Sequence, residues 1–444
     1  MGKQISLSLI GVFVVFFVQA QAWDPVKLDQ YFDRLEASQH FMGTVYVRQG
    51  DSLLYTRSIG KARLEEKTKA DSSTRYHIGS ISQIYTAVLL LKAVEEGRIR
   101  LEDNIKEYFP QIEKAENIRV SDLLRHRSGI PNFTEHPLYS TWYTQNRTRN
   151  ELLEIISKEG LHFSPGTHTA YSNSNYVLLS FLLEDLYQQA YSRLLSTYIT
   201  GPLDLKSTYL GSSIDPSPEE AYAYTYNKQW VQDPATHYSI VLGAGGLVST
   251  PAELTRFIHA LFHGKLLNPS SLEAMRRLED DLGLGLFSYS FDTQKALGNH
   301  GNIDGFHALL QYYPQGDISY AISSNATRMD INQISAIVLS ALMGKPYPLP
   351  EFNQTIDASQ WNAYLGVYTS PEIPVELRLY KEGNQWMLQG LGSQALSLEP
   401  KDAQTLQHLS SGILLQRIPD ENQILLKQAE RDFLFTKDVR KMSW

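Results

Sequence analysis

The sequence predicts an α+β protein. An antiparallel sheet, built from strands near both ends of a long first region, is flanked by helices and carries a helical insertion; a small antiparallel β-domain follows. Three observations support this. Strand-like patterns fall at residues 44–58 and 307–323, whereas the stretches between them repeat apolar residues at helical spacing. The run Gly344-Lys345-Pro346-Tyr347-Pro348-Leu349-Pro350 sets three prolines within five residues, which favours an extended linker over a helix or central strand. Beyond it, short stretches alternate apolar and polar residues between turn signals.

The elements follow in chain order. Residues 1–22 read as a signal peptide: Lys3, an apolar stretch from Ile5 to Val18, then Ala20-Gln21-Ala22 as a small-x-small cleavage site before Trp23. That stretch is short for a bilayer span, so no integral membrane span is expected in the mature chain. Residues 23–343 form the first domain, with a hairpin at 44–48 and 53–58 and a helix starting near Ser80. Further helices are expected at 120–126, 175–186 and 251–262, strands at 307–313 and 318–323, and a helix at 331–343. No linker-like break divides this region. Residues 344–355 are the linker, and 356–444 form a barrel-like unit with strands at 375–380, 386–388, 412–418, 424–426 and 433–435 and a turn at Glu382-Gly383-Asn384.

Of the 444 residues 42% are hydrophobic and 20% charged, which suits a packed globular chain and excludes disorder as the default. The net charge of −8 argues against nucleic acid as a partner and gives no attraction to anionic membranes. There is no cysteine, so an exported chain would be held without disulfides. No HExxH, CxxC or dense His/Asp cluster occurs among the 12 histidines, so neither a metal nor another cofactor is indicated. Nothing in the sequence sets an oligomeric state.

Ser80-Ile81-Ser82-Gln83 is the most informative segment. Gly79 precedes it, and Ile84, Ala87, Val88, Leu91 and Val94 then recur at helical spacing until Gly97. Side chains three apart share a helix face, so Ser80 and Gln83 point into one space beside the unsatisfied N–H groups of the helix start. A lysine at position 83 could take the serine proton if its pKa were depressed; a glutamine amide cannot. Taken alone, Gly-Ser-x-x is most often an ordinary N-cap.

Further segments change that balance: residues 77–87; Asp122-Leu123-Leu124-Arg125-His126-Arg127-Ser128-Gly129-Ile130-Pro131; Pro165-Gly166-Thr167; Tyr171-Ser172-Asn173; and Gly245-Gly246-Leu247-Val248-Ser249-Thr250. In this order, across residues 40–345, the chain resembles the serine β-lactamase and penicillin-binding protein family, in its class C β-lactamase, D-alanyl-D-alanine carboxypeptidase and esterase branch. The resemblance implies the β-lactamase/transpeptidase-like fold, and 364–368 resemble the small β-domain appended to many members. It makes Ser80 the acylation nucleophile, Tyr171 the proton shuttle, and Asn173, Gln83, Asn299 and Gly301 substrate-positioning residues. It aligns Gly298-Asn299-His300-Gly301-Asn302-Ile303-Asp304-Gly305-Phe306 with the His/Lys-x-Gly strand, placing Asn299 at the basic position beside Gly301 and assigning the oxyanion hole to the backbone N–H groups of Ser80 and Asn302. A slip of one residue would bring His300 to that position, but on an unbulged strand it would then face the opposite side.

Gln83 and Asn299 thus replace both positions that normally carry positive charge, and their neutrality should raise the pKa of Tyr171. One expectation is a weakened serine hydrolase acting through acyl-Ser80 on amides or esters, such as peptidoglycan-like peptides, β-lactams or small esters. The other is a non-catalytic protein that holds such a peptide or small molecule in the cleft. A third places the working part in the C-terminal domain. Selectivity is expected in loops 133–149 and 212–238; the tyrosines of the second, Tyr222, Tyr224 and Tyr226, with Trp230, read as surface packing before cleft lining.

Overall fold

The computed structural model describes residues 23–440, apart from 212–217, 228, 353–357, 384, 391–394, 409–410, 420–421, 429–430 and 439. The signal-peptide expectation for 1–22 therefore lies outside the described residues. Among the described residues, no helix is long and apolar enough to cross a membrane.

Helix α1 (Pro25–Ala37) leads into the hairpin β1 (Phe41–Gln49) and β2 (Ser52–Ile59). After the helices α2 (Ser82–Glu95), α3 (Asn173–Tyr187) and α4 (Pro251–Phe262) the chain returns through β3 (Phe287–Phe291), β4 (Gln294–Ile303), β5 (Phe306–Tyr313) and β6 (Ile318–Thr327) to α5 (Ile331–Leu342). The six strands form one antiparallel sheet in the order β3-β4-β5-β6-β1-β2, so that the last strand of the return pairs with the first of the chain. The parity of side chains along a strand divides the core in two. Ala308, Leu310 and Tyr312 of β5 face a large cluster with α2, α3 and α4, while Leu309 and Tyr313 face a second cluster with α1 and α5.

Helices α2 and α3 are buried on nearly every face, as an apolar helix inside a large core must be. The helix expected at 120–126 is shorter, Val120–Leu124, because His126 takes a left-handed backbone conformation (φ 55°) and turns the chain out of the helix. The sequence reading also passed over the helix Pro269–Arg276, which Asn268 caps through its side chain.

Past the first region, eight strands close into an antiparallel barrel: β7 (Gly366–Thr369), β8 (Glu376–Glu382), β9 (Gln385–Gly390), β10 (Leu396–Asp402), β11 (Thr405–His408), β12 (Ile413–Ile418), β13 (Gln423–Gln428) and β14 (Arg431–Lys437). Leu379, Leu388, Leu398, Leu406, Leu415, Ile424 and Phe435 fill its interior around Trp361. Among the described residues the barrel has no free edge strand, since β14 pairs back onto β7.

Candidate active site

Ser80 sits in a 3₁₀ turn, Gly79–Ile81, immediately before α2. It is not the helix cap: Ile81 holds that position with no side-chain bond, and Ser82 Oγ binds the turn by donating to the Gly79 carbonyl at 2.7 Å. The Ser80 hydroxyl is therefore free for another partner. The turn lies hard against β4. A Cβ on Gly79, whose φ is +50°, would sit 2.8 Å from the Asn302 nitrogen, and one on Gly301 would sit 1.9 Å from the Ile78 oxygen. Two glycines thus permit the close approach that sets the Asn302 backbone beside Ser80.

Tyr171 and Asn173 come from the start of α3. Ser80 Oγ and Tyr171 Oη are 2.5 Å apart, and Gln83 Nε2 donates to Tyr171 Oη at 2.7 Å and to Asn173 Oδ1 at 3.3 Å. Tyr171 donates to Asn173 Oδ1 at 3.0 Å. A phenol carries one hydrogen, so while it donates to Asn173 the Ser80 hydroxyl must be the donor in its contact with Tyr171. That is the direction in which a nucleophile gives up its proton. No lysine or arginine is among the hydrogen-bond partners of Tyr171. The ring is 38% exposed, but burial around the hydroxyl pushes its pKa up, offset only by the bonds from Ser80 and Gln83. His126 packs its ring 4.6 Å from that of Tyr171; full burial drives its pKa down to about 3, so it stands there as a neutral imidazole.

The two positions expected to have lost charge behave differently. Gln83 is fully buried beneath Tyr171 and has the Ala244 carbonyl as a third acceptor at 3.4 Å. Asn299, expected to position substrate, does not line the cleft. It is 1% exposed and donates from Nδ2 to the carbonyls of Ser80 at 3.1 Å and Gly285 at 3.3 Å, while Oδ1 accepts from the His300 N–H. A short amide reaches only the backbone below Ser80, where a longer basic side chain would extend further. Strand β4 pairs with β5 without a register shift, so His300 lies on the opposite face from Asn299 and Gly301, with Nδ1 3.2 Å from the Tyr289 hydroxyl.

A cleft of ≈ 440 Å³ opens in front of Ser80, lined among others by Asn173, Asn302, Thr134, Tyr139, Tyr143 and Asp304. The first expected loop, 133–149, supplies Thr134, Tyr139 and Tyr143. Of the second, the described residues contribute Thr236. Tyr224 is buried in the core, with its hydroxyl between Leu64 N and Glu65, rather than packed at the surface; Tyr222 lies against Arg63, and Tyr226 packs on Trp230. Asp304 had no assigned role. It follows β4 directly, at φ 49°, and accepts from Thr236 N and Oγ1, both at 2.6 Å, and burial raises its pKa. An acidic residue at the cleft end of the aligned strand is a signal that could have singled it out.

The chain is similar to several known proteins. Penicillin-binding protein 4* of Bacillus subtilis (strain 168) is 26% identical over 393 residues, covering 80% of this chain and 86% of that protein. The D-stereospecific amidohydrolase from Streptomyces sp. superposes with a TM-score of 0.63 at 26% identity, over 72% of this chain and 99% of its own. The octameric penicillin-binding protein homologue from Pyrococcus abyssi shares the fold over 93% of this chain and all of its own, with a TM-score of 0.66 at 22% identity. Residues 28–339, from α1 to α5 and including every residue of the cleft just described, match the Beta-lactamase family, and the chain belongs to that family.

Proposed function

We propose that the protein is a serine hydrolase of amide or ester bonds that works slowly through an acyl-Ser80 intermediate. The observation that carries this reading is the 2.5 Å contact between Ser80 and Tyr171 at the floor of an open cleft. Ser80 Oγ attacks the substrate carbonyl and passes its proton to the Tyr171 oxygen as the phenol gives its own to the leaving nitrogen or oxygen. The backbone N–H groups of Ser80 and Asn302 stabilise the oxyanion, Asn173 orients the acyl group, and water then releases it. A neutral phenol is a poor base, and with amides at positions 83 and 299 only the hydrogen bonds from Ser80 and Gln83, and no cation among its hydrogen-bond partners, favour a phenolate. The similarity to an amidohydrolase and to penicillin-binding proteins supports the amide or ester class. Residues 1–22 support an exported location.

The far wall of the cleft favours an amine-bearing substrate. The Asp304 carboxylate shares that wall with the rings of Tyr139 and Tyr143, and a carboxylate beside aromatic faces suits an ammonium group.

A second reading, a non-catalytic protein that binds such a ligand, is favoured by the neutral amide of Gln83. Incubation with a fluorescent penicillin or a fluorophosphonate separates the two. Covalent labelling that is lost in Ser80→Ala supports the hydrolase; saturable binding that survives Ser80→Ala, with no acyl mass shift, supports the binding protein.

A further inference from the structure

At the end of the sheet remote from Ser80, the last turn of α4 meets two hairpin turns. His259 and His263 stand one helical turn apart on one face of α4. The turn between β5 and β6 presents Asp317, and the turn between β1 and β2 presents Asp51; the two turns are tied together by the Gly50 N–H, which donates to the Asp317 carbonyl at 2.8 Å. Asp317 Oδ2 lies 3.3 Å from His259 Nε2 and 3.6 Å from His263 Nε2, and the three ligand atoms lie within 4.8 Å of one another.

We propose that His259, His263 and Asp317 form a binding site for a divalent transition metal ion, with zinc the best match to the ligand set. Bonds of about 2.0–2.2 Å at tetrahedral angles separate two ligand atoms by roughly 3.3–3.6 Å, which the two His–Asp distances match. The proton arrangement points the same way. His263 Nδ1 donates to the His259 carbonyl at 2.9 Å, which puts the proton of the neutral ring on Nδ1 and leaves the Nε2 lone pair facing the carboxylate. Two lone pairs facing one another need a cation between them, either a second proton or a metal.

Two of the ligands have an outer partner of the kind that orients metal ligands: the His259 carbonyl holds His263, and the Tyr312 hydroxyl donates to Asp317 Oδ1 at 3.0 Å, leaving Oδ2 for the ion. Asp51 Oδ1, 3.9 Å from His259 Nδ1, adds negative charge beside the third. His259 is buried while His263 and Asp317 reach solvent, so an ion can enter and water can complete its shell. The sequence hides the site because its third ligand lies far along the chain from the His-x-x-x-His pair. In a chain with no cysteine, the ion would clasp α4 to the two turns. Strand β5 separates it from the cleft by its full length, roughly 25 Å at about 3.3 Å per residue.

The test is to titrate the metal-free full chain with Co²⁺ and Zn²⁺, following visible absorption, calorimetry and the melting temperature. The expected result is one equivalent bound per chain, with the intense visible bands of a tetrahedral Co²⁺ site, proton release that grows as the pH is lowered, and a higher melting temperature with Zn²⁺. His263→Ala, at an exposed position, and Asp317→Asn should remain folded by circular dichroism and lose the bands and the stabilisation, with acylation of Ser80 unchanged. Failure of the wild type to bind one equivalent, or an unchanged Co²⁺ spectrum in His263→Ala, would overturn the proposal. Neither result depends on whether Ser80 reacts.

Discussion

Replacing Gln83 by lysine should restore much of the missing chemistry. Three oxygen atoms converge on Gln83 Nε2: Tyr171 Oη at 2.7 Å, Asn173 Oδ1 at 3.3 Å and the Ala244 carbonyl at 3.4 Å. An amide nitrogen has two hydrogens to offer them, an ammonium three. The other end of the same amide, Oε1, is buried without a partner, an arrangement that costs about 1–3 kcal/mol. Gln83→Lys removes that orphan, supplies the third donor and places a basic group against Tyr171. A positioned general base contributes about 10²–10⁴ in rate, roughly 3–5 kcal/mol of barrier at about 1.36 kcal/mol per decade. The assay is single-turnover acylation by a chromogenic ester or β-lactam across pH, with Gln83→Met as the control that fills the space without charge or donors. The lysine variant should acylate at least about a hundredfold faster than wild type, with a rate that rises through one ionisation. Its melting temperature should fall, because burying an ammonium costs several kcal/mol, of the order set by desolvation. A folded Gln83→Lys protein whose rate stays within about tenfold of wild type would refute the idea of a preserved cleft with a disabled relay.

Further variants test other parts of the site. Gly301→Ala drives a methyl group to within 1.9 Å of the Ile78 oxygen; a loss of about 1–3 kcal/mol in denaturant melts is expected, with Ser80 labelling slowed about a hundredfold if the turn moves by about 1 Å. Asp304→Asn, which keeps a residue tolerant of the left-handed backbone, should raise KM for substrates carrying a free amine and leave KM for their acetylated analogues unchanged, as steady-state kinetics would show. His126 has a folded pKa of about 3 against an ordinary 6.5. The unfolded chain therefore takes up a proton below pH 6.5 that the folded chain refuses, and stability is full above that pH and falls as pH drops toward 3, by up to about 4–5 kcal/mol. In urea melts across that range, His126→Asn should flatten the slope; an equal slope in both proteins would remove His126 as its source.

The legible parts of the molecule were those fixed by local pattern. Strong periodicity placed α2, α4, the β1–β2 hairpin and β5 within a few residues of where they lie, because period-2 and period-3.6 repeats bury one face each. In the barrel, β10 and β11 escaped the reading: Pro400 and Lys401 break the alternation, and the pairing there shifts register between Pro400 and Asp402. The motif order brought Ser80, Gln83, Tyr171 and Asn173 to one place, since all four sit at helix starts that pack together. The conduct of Asn299 was not legible. Motif alignment gives a position on a strand but not the length at which a side chain stops, and Asn299 stops at the backbone of Ser80. Asp304 meets Tyr139 and Tyr143 from a segment far along the chain from theirs, and no local pattern records a meeting made only by the fold.

The central claim is that Ser80 remains a nucleophile whose activation has been weakened. Intact-mass analysis of the wild-type chain during incubation with a reactive acyl probe, followed by peptide mapping, tests it most directly. A single adduct that forms slowly, maps to Ser80 and is absent from Ser80→Ala is the predicted result. No adduct at any time from a folded protein that still binds the probe, or an adduct on another residue, would contradict it.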